Sequence, residues 1–147
     1  MPHRSTIAHA VSARAAVPAE FAFARLSEAE FIGGWSLGSM GLAPVGGGVF
    51  RGVSLFDGSE AFVEILPQPG LGLIDFAVGT RAARSPRIAI RVADGGPLGH
   101  GDGVCIVTLS ALRAATSDDE RWQKTCTTHE TEILLIKAQL ETAWGSR

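Results

Sequence analysis

The stretch SDDERWQKTCTTHETEILLIKAQLETAWG, residues 117–145, is where the architecture of this chain is most readable. Ser117 and Glu120 have capping-box spacing, Asp118 and Asp119 suit the positive end of a helix dipole, and Gly145 suits a stop. The pattern predicts one helix over 118–144. At 1.5 Å per residue it would be roughly 40 Å long, enough to cross a small domain, so one side of it has to be buried. Its apolar stripe reads Trp122, Cys126, Ile133, Ile136, Leu140 and Ala143, and His129 falls in the same three-to-four spacing. His129 therefore faces inward.

What that helix packs on is set by the residues before it. From 35 to 115 the sequence breaks into short β-prone segments separated by Val45-Gly46-Gly47-Gly48, Asp57-Gly58 and Pro67-Gln68-Pro69-Gly70, the punctuation of an antiparallel meander of about six strands. Asp57-Gly58, between 49–56 and 60–66, reads as a hairpin of fixed register. Further toward the N-terminus a first strand is predicted over 6–17. Pro18 then opens a short helix over 18–26, and Ser27 with Glu30 reads as a capping box for a second, stopping at Gly33-Gly34. The expected class is α+β, with a curved antiparallel sheet of six to seven strands wrapped around a long C-terminal helix.

Composition narrows the function classes. The chain of 147 residues is 46% apolar and 19% charged, with a net charge of −2, which suits one globular domain over 1–147 and does not suit a disordered segment. No Lys/Arg cluster offers the basic stripe that a nucleic-acid partner needs, and no apolar run approaches the roughly 20 residues that span a bilayer. The opening Met1-Pro2-His3-Arg4, with Arg14 interrupting the apolar stretch after it, does not read as a secretory leader, so a cytoplasmic protein is expected. Cys105 and Cys126 lack ligand or disulfide spacing and read as buried thiols. His100 and Asp102 share a Gly-rich loop, and two ligands there are too few for a metal site. No motif calls for a metal or a cofactor. Monomer and homodimer are both compatible with the pattern.

The order strand, two short helices, meander, long helix resembles the START-like, or SRPBCC, superfamily over nearly the whole chain. Gly48-Val49-Phe50-Arg51-Gly52-Val53-Ser54-Leu55-Phe56-Asp57-Gly58, followed by Glu64-Ile65-Leu66, is similar to the polyketide cyclase/dehydrase-like branch. The strand Val104-Cys105-Ile106-Val107-Thr108-Leu109 departs from that branch in lacking a Trp. The resemblance implies a helix-grip fold with a pocket between sheet and helix, and a small hydrophobic or aromatic metabolite or lipid as partner. Members of the superfamily include lipid carriers, metabolite binders and aromatase/cyclases.

Such a pocket would be lined by Phe50, Phe56, Phe62, Ile74, Phe76, Ile88 and Ile90 from the strands and by Trp122, Cys126, His129 and Ile133 from the helix. In 87–92, placing Arg87 and Arg91 outward turns Ile88, Ile90 and Val92 inward. Alternation conflicts with itself in 60–64, because an inward Phe62 brings Glu60 and Glu64 inward too. A carboxylate there would have a raised pKa, so Glu64 with His129 is the candidate acid–base pair for a cyclase-, dehydratase- or hydrolase-like reaction. The competing reading turns Glu64 to solvent, paired with Arg51 across the hairpin, and makes His129 a core or pocket-edge histidine. A third reading, an interaction module with a filled core, requires no cavity at all.

Overall fold

The chain enters the sheet through eight alternating residues. In β1 (Ala8–Ala15), Val11, Ala13 and Ala15 pack toward the core while Ser12 and Arg14 are exposed. The computed structural model describes residues 6–147, so the opening Met1-Pro2-His3-Arg4 lies outside the described residues. Pro18, extended at φ −62° and ψ 144°, is the N-cap of α1 (Ala19–Leu26), one residue outside the position expected for it. The hydroxyl of Ser27 donates to the Phe23 carbonyl at 2.8 Å, closing the end of α1. It therefore does not cap α2 (Ala29–Ile32), whose N-cap is Glu28.

Six strands follow: β2 (Met40–Gly46), β3 (Val49–Val53), β4 (Glu60–Gln68), β5 (Leu73–Gly79), β6 (Arg84–Asp94) and β7 (Cys105–Leu112). Together with β1 they form one antiparallel sheet in the order β1-β7-β6-β5-β4-β3-β2, with β1 and β2 as its edges. The meander therefore runs back to meet the first strand, Ala8 opposite Leu112 and Ala15 opposite Cys105. Pro44 sits in the edge strand β2, where a missing N–H costs no interior ladder bond. The β3–β4 hairpin keeps its predicted place, but Val53 opposes Glu60, which leaves a six-residue loop over 54–59 and not a tight Asp-Gly turn. Asp57 Oδ1 organises that loop by accepting from the backbone N–H of Ser59 at 2.9 Å and from its hydroxyl at 2.6 Å.

The long helix α3 (Asp119–Gly145) packs chiefly on β1, with β7 and α1 beside it. Its N-cap is Asp118, whose carboxylate accepts from the Arg121 N–H at 2.8 Å; Ser117 instead offers its carbonyl to the Arg113 guanidinium. Ile133, Ile136 and Leu140 enter the main core with Leu26, Trp35, Ile74, Ile90 and Leu109. Near the start of the helix, Trp122 and Cys126 form a second cluster with Ala111 and Ile88. His129 and Glu132 fall between these two groups on the helix.

Candidate functional site

A partly open cavity of about 780 Å³ lies between the N-terminal half of α3, the middle of the sheet and two loops, 36–39 and 54–59. Ile32, Trp35, Val63, Phe76, Ile88 and Leu109 supply its apolar wall, and His129 and Glu132 project from the helix. That volume falls in the range that takes a drug-sized ligand, about 300–1,000 Å³. The filled-core reading of the sequence does not describe this interior.

The polar part of the wall is unusually well buried. Glu132 is only 3% exposed, and one of its oxygens accepts the Leu37 N–H at 2.8 Å while the other lies 3.7 Å from His129 Nε2. Burial raises its pKa to about 7 against the opposing Leu37 hydrogen bond. His129 moves the other way, down to about 4, first through burial and then through the nearby His9 and Arg87. The contact is thus a neutral imidazole facing a carboxyl group near its midpoint at neutral pH. Two of the wall residues, Trp35 and His129, each hold a ring nitrogen, Nε1 and Nδ1, that is buried without a hydrogen-bond partner among the described residues. Groups of this kind each cost about 1–3 kcal/mol unless something pairs with them.

Among the sequence candidates, Phe56, Phe76, Ile88 and His129 line the cavity. Phe50, Ile74, Ile90 and Ile133 pack in or against the main core, Trp122 and Cys126 sit in the second cluster, and these six are not among the residues that line it. Phe62 and Glu64 are a clear correction. Ala61 and Val63 face the cavity, which by alternation puts Phe62 and Glu64 on the opposite face of β4. There Phe62 is buried between Arg51 and Gly79 on the flanking strands, and Glu64 pairs with Arg84 at 2.9 Å. The Glu64–His129 dyad is therefore not formed. Nor does Glu64 reach Arg51, which pairs with Glu60.

Arg87 is the second correction. Phe76 opposes Ile88 but Ala77 opposes Pro86, so Arg87 is the extra residue of a β-bulge. The bulge breaks the alternation that would have turned it outward, and Arg87 lines the cavity half-buried while Arg91 stays exposed. Glu132 was missed although 129, 132, 136 and 140 share one helical stripe. Trp35, on the turn after α2, carried no periodic signal.

No protein-family model and no curated protein matches the sequence. Solved structures do match. A START superfamily protein from Mycobacterium smegmatis superposes with a TM-score of 0.60 at 10% identity, covering 91% of this chain and 99% of that one. The Aha1 dimer from Colwellia psychrerythraea gives 0.66 at 10% identity over 92% and 97%. The chain has the START-like, helix-grip fold. The di-domain ARO/CYC BexL from the BE-7585A biosynthetic pathway also matches, at TM-score 0.67 and 15% identity, over 91% of this chain and 46% of that one. This helix-grip chain thus corresponds to about half the length of that di-domain protein, and at such identities the likeness concerns the fold alone. No helix among the described residues is long and apolar enough to cross a membrane.

Proposed function

We propose that the protein binds a small, largely apolar metabolite in the cavity between sheet and α3, with a polar end of the ligand meeting His129, Glu132 and Trp35. The observation that carries this reading is the cavity of about 780 Å³ itself, with an apolar wall joined by Trp35 and His129, each of which holds a buried, unpartnered ring nitrogen. With a small turn of either ring toward the cavity, a ligand oxygen could accept from the Trp35 indole or exchange a hydrogen bond with the imidazole. Magnitudes divide the labour. Burying about 300 Å² of apolar ligand surface is worth roughly 7 kcal/mol before association costs, whereas one neutral hydrogen bond adds about 1 kcal/mol. Affinity then comes from the wall, and orientation from the polar groups.

Native mass spectrometry of gently purified protein, set beside the denatured mass, tests this directly. One defined non-covalent adduct is expected, and His129→Leu should change which compounds are retained more than it changes stability. A variant that retains every ligand of the wild type unchanged would remove His129 from the site.

A second reading is favoured by one specific feature, the carboxyl of Glu132 beside a neutral imidazole. That pair has the acid–base properties that a cyclase- or dehydratase-like reaction uses, and it takes the place of the Glu64 dyad. Conversion of a bound adduct on incubation, abolished in Glu132→Gln, is the result that would distinguish enzyme from carrier.

A further inference from the structure

The cavity contains a charge that the proposed binding of an apolar metabolite does not explain. Arg87 is half-buried on the wall, brought there by the bulge in β6, and its guanidinium makes no hydrogen bond or ion pair with any described residue. Arg121, in the first turn of α3, lines the same cavity at its exposed rim, and its side chain is likewise unpaired. Two guanidinium groups facing one opening repel each other, and holding Arg87 half out of water without a counter-ion is unfavourable. Consistent with that, burial and the neighbouring Arg121 both lower the pKa of Arg87.

The acids around the opening do not answer this charge. Asp118 caps α3, Asp57 is held by Ser59, and Glu60 pairs with Arg51. Glu132 is engaged by the Leu37 N–H and near half-protonated at neutral pH, and Glu120 is exposed without an ion pair to either arginine among the described residues. Lys124, the remaining cation on the wall, rests over the Phe56 ring at 4.7 Å.

We infer that the ligand is an amphipathic anion, an apolar body ending in a carboxylate, with the carboxylate held by the fork of Arg87 and assisted by Arg121 at the rim. A planar guanidinium matches a carboxylate through two parallel N–H···O bonds, and the partly dry setting strengthens them relative to water. Lined by Phe76, Ile88 and Leu109, the cavity offers the apolar body a wall on the same side as Arg87.

The inference rests on the cavity-binding reading, and matched acid and amide probes separate the two. Binding of naphthoic acid against naphthamide, phenylbutyric acid against phenylbutyramide and decanoic acid against decanamide would be measured by calorimetry on wild type, Arg87→Gln and Arg121→Gln. The acids should bind about tenfold or more tightly than their amides in wild type, a preference lost in Arg87→Gln and reduced about threefold in Arg121→Gln. Equal binding of acid and amide in wild type would overturn the anion assignment and leave the cavity reading standing. Failure of every probe to bind would overturn both. Arg121→Gln, on an exposed helix position, keeps the test decisive if Arg87→Gln does not fold.

Discussion

His129 and Glu132 are both driven toward their uncharged forms by burial, and the opposite pKa shifts that result make this testable. A histidine held below its usual value contributes stability above its unfolded pKa, lost as pH falls toward about 4. A carboxyl held above its usual value contributes stability below its unfolded pKa, lost as pH rises through about 7. In the wild type the two slopes oppose each other between pH 4.5 and 6.5. Removing one group exposes the other. Relative to wild type, Glu132→Gln should gain stability as pH rises across that window, whereas His129→Gln should lose it, each by at most about 3 kcal/mol. Urea midpoints across the window check this, and parallel curves for all three proteins would mean that neither group is shifted as described.

Element by element, the cavity depends on close backbone approaches that no larger residue permits. A Cβ on Gly52 of β3 would lie 2.7–2.9 Å from the backbone of Ser39, in the loop that closes one side of the cavity. Backbone cannot step aside as a side chain can, so Gly52→Ala should destabilise the protein by about 1–3 kcal/mol and weaken ligand retention with it, as read from the urea midpoint and the adduct population. How far such features could be read in advance varied with their cause. The stripe on α3 and the meander are periodic, so helix, strands and the inward His129 were legible. Glu132 obeys the same period, but a charged residue is not ordinarily placed in an apolar stripe. Phe62 and Val63 compete for one face, and size favoured the wrong one. The bulge at Arg87 depends on how β6 pairs with β5, which residues 84–94 do not encode by themselves.

At the scale of the whole molecule, the open sheet both packs on α3 and walls the cavity, and the two share residues: Trp35, Phe76 and Leu109 belong to the main core and to the cavity wall. The paired middle of the sheet, including Ile90 opposite Leu109, belongs to the main core. The cavity side is closed by loops whose backbone N–H groups bond mostly within or between the two loops and not into the sheet ladder. Hydrogen exchange should therefore show Ile90 and Leu109 protected to the level of global unfolding, and the Leu37 and Leu55 amides exchanging through smaller openings that a bound ligand suppresses. Equal protection at all four positions would mean that the loops do not open separately.

Those two amides form one chain. Leu37 donates to Glu132 at 2.8 Å, and Leu55 donates to the Leu37 carbonyl at 2.8 Å, so loop 54–59 is tied to loop 36–39 and through it to α3. Escape of a ligand through this side requires that tether to part, whereas the strength of binding depends on the wall behind it. On the proposed binding role, Glu132 bears on both residence time and affinity, whereas a change confined to the Leu55–Leu37 link would speed the turnover of occupants with little effect on how tightly each is held.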